Sequence, residues 1–192
     1  IGTSLVAYGF ARFRFPLRDF LFGLMIATLM LPGAVVVIPR YILFNQLGWI
    51  DSYLPFVVPA LFATHAFFVF MMVQFFRGIP MELDESAKMD GCGPFRIFLS
   101  ILVPLSKPAI VSMVIFQFIW TWNDFFYSTI FINSVSKYTL QLGLRMSNDS
   151  AAVTAWNQVL AMSTVTILPC VLVFFLAQKH FVDGITAGGV KG

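Results

Sequence analysis

Four long stretches with almost no charge limit this chain to a membrane fold. Residues 20–39, 53–76 and 158–178 carry no Asp, Glu, Lys or Arg, and residues 108–132 carry only Asp124. A helix needs about 20 predominantly apolar residues to cross the hydrocarbon core of a bilayer. Each stretch meets that length, and continuous apolar runs favour helices over the alternating strands of a barrel. The sequence therefore predicts four complete spanning helices.

The composition agrees with a membrane location. The 192 residues are 59% hydrophobic and 11% charged, whereas a soluble domain carries about 25% charged residues. Residues 1–10 are apolar but too short to span, and they lack the basic start of a signal peptide. We expect them to be the end of a truncated spanning helix. The predicted fold is an all-α membrane protein: one domain over residues 1–192, a polytopic helical bundle with about four complete spans plus part of an N-terminal one.

Lys and Arg are distributed unevenly between the predicted loops. Nine of the twelve fall in one set of loops, and Arg40, Lys137 and Arg145 fall in the other. By the positive-inside rule, the first set is cytoplasmic. This predicts a cytoplasmic loop over residues 77–107 and a cytoplasmic tail over residues 179–192. The loops at residues 40–52 and 133–157 are then external.

The loop at residues 77–107 has features of a folded segment. Structureless loops longer than about 12–15 residues are uncommon in compact domains. Pro80 suits the first turn of a helix, and the acids that follow it suit the positive end of the helix dipole. Gly91 begins a run that ends a helix. We therefore predict a helix over residues 81–90, with Asp84 and Lys88 forming an i, i+4 ion pair.

One face of this predicted helix is suited to contact with another protein. Ala87 and Gly91 lie one turn apart, and small side chains let a partner approach the backbone closely. Glu85 adds a negative charge for a basic residue of the partner. The alternative is an ordinary acidic helix between two spans. Beyond it, an i, i+3, i+4, i+7 apolar pattern predicts an amphipathic helix at the membrane face, formed by Phe95, Phe98, Leu99 and Leu102.

The spacing of residues in this loop resembles that of a known family. Permease subunits of bacterial ABC importers carry a cytoplasmic loop that reads Glu-Ala-Ala, three residues, Gly, nine residues, Ile, one residue, Leu-Pro. Five of the seven positions match, with serine in place of the middle alanine and valine in place of leucine. The corresponding residues are Glu85, Ser86, Ala87, Gly91, Ile101, Val103 and Pro104.

Other segments resemble the carbohydrate-import branch of that family, and most of all the second, maltose-type permease subunit. These are residues 7–13, 90–91, 95–105, 122–124 and 181–192. The resemblance implies a multi-pass subunit of the bacterial cytoplasmic (inner) membrane that moves a carbohydrate by alternating access. It also implies that the residues coupling the chain to an ATPase are Glu85, Ser86, Ala87, Asp90, Gly91, Ile101 and Pro104.

The partners implied by the resemblance follow the same family pattern. They are two copies of a nucleotide-binding ATPase subunit, a second related permease subunit and an extracytoplasmic substrate-binding protein, together with the carbohydrate substrate and membrane lipid. ATP and magnesium are expected on the ATPase, with no cofactor, metal or nucleic acid on this chain. The external loop at residues 133–157 is expected to face the binding protein; the alternative is a solvated connector.

A polar and aromatic cluster near the outer end of the third complete span is the candidate substrate pathway. Carboxylates and amides hydrogen-bond sugar hydroxyls, and aromatic rings stack on sugar rings. The alternative is an Asp124 that is solvated or braces neighbouring helices, with aromatic residues acting as interfacial anchors. The candidate residues are Trp120, Trp122, Asn123, Asp124 and Tyr127.

The remaining features are mostly negative. His65 falls in the middle of a predicted span, where a hydrogen bond between helices is favoured over a proton relay. The chain has no Gly-x-x-x-x-Gly-Lys-Ser/Thr, His-Glu-x-x-His or Gly-x-Ser-x-Gly motif, so a hydrolytic role is not indicated. The rival functions are an ATP-independent secondary transporter or channel, which predicts charge relays within the membrane, and a membrane scaffold.

Overall fold

The structure, a computed structural model, describes the backbone of residues 1–149 and 156–189 and the side chains of residues 1–146, 156–157 and 159–176. All regular elements in this part of the chain are helices, as predicted. They are α1 (Gly2–Arg12), α2 (Arg18–Thr28), α3 (Gly33–Gln46), α4 (Leu54–Leu61), α5 (Ala66–Gly78), α6 (Glu82–Met89), α7 (Pro94–Ile97), a π-helix (Phe98–Leu102), α8 (Val103–Leu105), α9 (Lys107–Trp122), α10 (Phe126–Phe131), a 3₁₀-helix (Val135–Lys137), α11 (Leu140–Asp149) and α12 (Trp156–Gly189).

Within the described residues, two helical segments are long and apolar enough to cross a membrane as they stand. They are Leu54–Gly78, formed by α4 and α5, and Val159–Leu176 within α12. If each bent pair of helices forms one span, two more spans are present. These pairs are α2 with α3, bent by 100°, and Pro94–Leu105 with α9, bent by 75°. The prediction of an all-helical membrane bundle is therefore confirmed, and the four predicted spans correspond to these two segments and two bent pairs.

The breaks have local causes. Pro32 lacks an N–H and disfavours helical geometry at the residue before it, so α2 ends at Thr28 and α3 begins at Gly33. Residues 108–132 divide after Trp122. Ala63 adopts a left-handed φ of +56° between α4 and α5. His65 therefore occupies the position before the first residue of α5 rather than lying inside a continuous helix, and its ring contacts that of Phe68 edge-on at 5.9 Å.

The first of two compact units comprises Ile1–Val36 and Val57–Met113. Its core forms where α1 packs along α5, with side chains of the π-helix closing one end. Moving an apolar side chain from lipid into a protein core contributes little free energy, because both surroundings are apolar. Such a core is therefore stabilised mainly by close packing. The buried residues are Ala7, Tyr8, Val69, Met72, Val73, Phe76, Ile79, Phe98, Leu102 and Ala109.

The second unit comprises Val37–Phe56 and Val114–Gly192. Its best-packed part surrounds the buried ring of Phe131, which meets the rings of Phe44 at 5.3 Å and Phe56 at 5.9 Å edge-on. On α12, by contrast, Leu172 and Leu176 are largely exposed. Apolar side chains exposed along a helix of this length suit contact with lipid.

Candidate functional site

Helix α6 matches the predicted helix over residues 81–90. It runs from Glu82 to Met89, with Met81 and Asp90 as its capping residues. Its first turn carries the three predicted acids, which favour the positive end of the helix dipole. The local chemistry of the loop is therefore enough to start and stop the helix.

The end of α6 explains why a glycine stands at position 91. The Cys92 N–H donates to the Ala87 carbonyl at 2.9 Å, and the Gly91 N–H donates to the Lys88 carbonyl at 3.0 Å. This pair of bonds is the Schellman motif, whose C′ residue adopts the left-handed conformation. Gly91 has a φ of +78° and space around it for a Cβ atom. Its backbone conformation therefore calls for glycine whether or not a partner docks there.

Gly91→Ala is expected to loosen the end of α6 without any steric clash. A left-handed alanine costs about 1 kcal/mol, so hydrogen exchange of the Cys92 amide should rise roughly fivefold. Gly91→Asn should have a smaller effect, since asparagine tolerates this conformation. Gly93→Ala is the matched control, because Gly93 has an ordinary φ of −72° and equal space. Equal exchange rates in the Gly91 and Gly93 alanine variants would contradict this explanation.

Asp84 has a different partner from the predicted one. Its Oδ2 lies 3.1 Å from Nε of Arg12, and both side chains are only 4% exposed. Arg12 also donates from Nη2 to the Ile79 carbonyl at 2.9 Å, and its Nη1 lies 2.9 Å from Sδ of Met81. The i, i+4 pair of Asp84 with Lys88 is therefore wrong, because tertiary packing turns the carboxylate inward toward the end of α1.

The surface that α6 offers to a partner is narrower than expected. Ala87, expected in the contact patch, is 5% exposed and packs within its own chain. The exposed residues of α6 and its C-cap are Glu82, Leu83, Glu85, Ser86, Lys88, Met89 and Asp90, with Met89 89% exposed. The Ser86 hydroxyl donates to the Glu82 carbonyl at 2.8 Å, so serine in place of the family's alanine is accommodated on the helix itself.

The segment after α6 departs from a regular amphipathic helix. Of the four residues in the predicted apolar pattern, Phe98 and Leu102 are buried within the chain, as is Ile97, whereas Phe95 and Leu99 are exposed. Residues Phe98–Leu102 form a π-helix, which interrupts the α-helical spacing of this segment. Ile101 is partly buried within it, and Pro104 is exposed in the short helix that follows.

Two of the candidate pathway residues hold the turn between α9 and α10. Oδ2 of Asp124 accepts the Ser128 N–H at 3.0 Å and its hydroxyl at 3.1 Å, and Oδ1 accepts the Tyr127 N–H at 3.3 Å. Asn123 donates to the Ile119 carbonyl at 2.8 Å and accepts from Nε2 of Gln141 at 3.3 Å. These bonds favour the bracing interpretation of Asp124.

Of the aromatic candidates, Trp122 borders a small concavity in the second unit, whereas Tyr127 and Trp120 are not among its lining residues. Trp122 donates from Nε1 to the Thr166 carbonyl at 3.0 Å and stacks on Phe118 at 5.7 Å. Tyr127 stacks on Phe131 at 6.1 Å and lies 6.0 Å from the Arg40 guanidinium. Trp120 is about half exposed. The concavity has a volume of about 310 Å³ and is lined by Phe118, Thr121, Trp122, Thr139 and Leu140.

A polar clasp on the predicted external side was missed by the sequence analysis. Oδ1 of Asp51 accepts the N–H groups of Asn133 at 2.9 Å and Ser134 at 2.8 Å. Its Oδ2 accepts the Ser134 hydroxyl at 2.6 Å and Nζ of Lys137 at 3.0 Å. Hydrogen bonds from the hydroxyl and amide of Ser134, and then from Lys137, hold the pKa of Asp51 well below its usual range. The clasp is therefore ionised at neutral pH, and it holds the start of the loop at residues 133–157.

Known proteins similar to this chain are transport permeases. The family model described as "Binding-protein-dependent transport system inner membrane component" matches residues 2–187. The arabinooligosaccharides transport system permease protein AraQ of Bacillus subtilis is 37% identical over 190 residues, covering 99% of this chain and 66% of the relative. The sn-glycerol-3-phosphate transport system permease protein UgpE of Brucella abortus is 39% identical over 184 residues, covering 95% and 64%.

A solved structure is also similar to this chain. It is a bacterial ABC transporter involved in the import of the acidic polysaccharide alginate, with a TM-score of 0.78 and 25% identity over 94% of this chain and 70% of that chain. The chain spans about two thirds of the length of the curated relatives it matches. The resemblance to permeases of carbohydrate ABC importers is confirmed, and the chain belongs to the family of binding-protein-dependent transport system inner membrane components.

Proposed function

We propose that this chain is a transmembrane subunit of an ATP-driven importer, and that α6 is where a separate ATPase drives it. One observation carries the proposal: α6 buries Asp84 and Ala87 in its own chain while it exposes Glu85, Met89 and Asp90 on the other side. A short helix fixed to membrane helices on one face, with an acidic and apolar face exposed, suits insertion into a groove on a partner.

In this proposal, ATP binding brings two ATPase copies together, and each of two permease subunits moves with the copy docked on it. Rigid-body rotation of the permease subunits then gives alternating access. Glu85 and Asp90 meet basic groups of the ATPase, and Ser86 and Gly91 allow close approach. Ile101 and Pro104, which follow α6 in the chain, complete the proposed coupling segment. ATP and magnesium are held by the ATPase.

The substrate proposed is a carbohydrate, delivered by an extracytoplasmic binding protein. AraQ, which bears an arabinooligosaccharide name, and the alginate importer support this class. The Asp51 clasp supports contact with the binding protein, since it gives the external loop at residues 133–157 a fixed start. Trp120, Trp122, Asn123, Asp124 and Tyr127 remain the proposed pathway residues, with Asn123 and Asp124 acting chiefly by holding the turn beside it. A cytoplasmic C-terminus also remains a prediction.

Co-purification tests the proposed function directly. The tagged chain, extracted from its native membrane in mild detergent, is expected to carry an ATPase subunit that hydrolyses ATP. Glu85→Lys should reduce the recovered ATPase at least about tenfold, because it places a positive charge against a basic partner. Asp19→Lys, the same change at an exposed acid of α2, should leave recovery unchanged.

The outcomes also separate the proposal from its rivals. Gly91→Trp, which adds bulk at the docking face, should abolish ATP-driven uptake while membrane insertion remains normal. Full uptake by that variant would remove α6 from the coupling path. If no ATPase accompanies the wild-type chain, an ATP-independent transporter or channel would be favoured over an ABC importer.

A further inference from the structure

The strongest unexplained feature of the first unit is the buried contact between Arg12 and Asp84. The three nitrogen atoms of the Arg12 side chain contact the segment before α6 and the first turn of α6. Nε faces Asp84, Nη2 reaches the Ile79 carbonyl and Nη1 reaches Met81. One side chain at the last turn of α1 thus holds both the approach to α6 and its first turn.

Helix α1 also contacts the segment that follows α6 in the sequence. The Tyr8 hydroxyl donates to the Pro94 carbonyl at 3.1 Å, and the Tyr8 ring stacks on Phe98 at 5.2 Å. Helix α1 therefore contacts the chain at the N-terminal end of α6, through Arg12, and after its C-terminal end, through Tyr8. These contacts connect α6 to α1, which itself packs along α5 through Ala7 and Tyr8.

The ion pair is poorly built as a stabilising interaction. Among the described residues, Oδ1 of Asp84 and Nε of Arg12 are both buried without an aligned hydrogen bond. Removing two charges from water is costly, and a buried pair compensates for this only when its hydrogen bonds are complete. Such a pair stabilises the protein little compared with apolar residues of similar volume. The pair does fix the position of the two side chains relative to each other, because displacing either partner would leave an uncompensated buried charge.

We propose that Arg12 and Asp84 are positioning residues that make α1 and α6 move as one rigid body when the ATPase closes. The inference rests on the proposed function and adds to it a specific mechanical link, from the partner-facing helix to a membrane helix. A displacement of α6 by its partner is transmitted through the guanidinium of Arg12 to the end of α1. The exposed pair of Arg18 and Asp19 on α2 has no such role, since the Asp19 side chain is 83% exposed.

A distance measurement on the assembled complex tests this link. One spin label is placed on the native Cys92, whose N–H is bonded to α6 at Ala87, and one on Val6→Cys at an exposed position of α1. The second native cysteine is removed as Cys170→Ser. Double electron–electron resonance is recorded without nucleotide and with ATP in the presence of vanadate. We expect the wild-type distance to change by less than about 2 Å, the size of a small helix shift.

Asp84→Asn should break the link while it preserves side-chain shape. The distance distribution should widen to at least about twice its wild-type width, and it should shift when nucleotide is added. Asp19→Asn is the matched control and should reproduce the wild-type distances. An Asp84→Asn distribution identical to wild type would overturn the proposal, as would a wild-type distance that changes with nucleotide.

A second variant covers the case in which Asp84→Asn does not assemble. Arg12→Met with Asp84→Leu removes both charges, so it leaves no unpaired ion and should fold. It is expected to recover the ATPase yet show a distance that changes with nucleotide. An unchanged distance in this variant would also overturn the proposal. Absence of an ATPase from the wild-type complex would refute the proposed function itself, and the link with it; recovery of the ATPase with a changing wild-type distance would refute the link alone.

Discussion

Arg12→Met is expected to lower the free energy of unfolding by about 3–5 kcal/mol, the usual cost of removing one partner from a buried pair. The carboxylate of Asp84 would remain buried with no cation beside it, and the Ile79 carbonyl would lose its donor. Methionine keeps a similar side-chain length, so packing alone does not account for the loss. The measurement is reversible unfolding in mixed detergent micelles.

Two comparisons isolate the charge from the packing. Arg18→Met, made at the more exposed pair on α2, should cost less than about 1 kcal/mol, as for surface ion pairs in general. Combining Arg12→Met with Asp84→Leu should recover most of the lost stability, because no buried charge remains. If the double variant were as unstable as the single one, the loss would have to come from packing instead.

Phe76→Ala is expected to produce the second large effect, about 3 kcal/mol of lost stability. Phe76 is fully buried in the core of the first unit, so truncation leaves a cavity between α1 and α5. We expect the low end of the usual range, because an apolar side chain gains little by leaving lipid while the loss of packing contacts remains. The same unfolding measurement applies.

Phe62→Ala provides the matched control, since Phe62 lies in the same unit but is 75% exposed. Its cost should stay within about 0.5 kcal/mol. Phe76→Leu should fall between the two variants, because part of the volume is retained. A Phe76→Ala variant as stable as Phe62→Ala would mean that the core between α1 and α5 collapses freely around a cavity.

Local chemistry was sufficient for the elements whose boundaries depend on neighbouring residues. The acids of the first turn and Gly91 placed α6 to within one residue at each end. Pro32 is a helix-breaking residue, and the structure bends the chain by 100° there. What the apolar pattern alone could not indicate was the size of the bend or the interruption at Ala63. These depend on how neighbouring helices pack, and length and hydropathy carry no such information.

Side-chain partners were the least predictable part of the site. Asp84 has a suitable partner at Lys88 on its own helix, yet it contacts Arg12. Asp51 carried no recognisable motif, yet it organises Asn133, Ser134 and Lys137. In both cases the chosen partner is distant in the sequence. A carboxylate takes the cation and donors that folding brings to it, and single-sequence patterns report only neighbours one turn away.

The sequence by itself determined the class of this protein. Long uncharged stretches require spanning helices because lipid cannot hydrogen-bond an open backbone, and the spacing from Glu85 to Pro104 identified the permease family. Only the tertiary structure decided which face of α6 is free and which is fixed. Burial of Asp84 and Ala87 against the chain's own helices turns Glu85, Met89 and Asp90 outward. The physical reason is that the sequence of a short helix does not specify which of its faces will pack against the rest of the chain. The packing of neighbouring helices determines which face is buried.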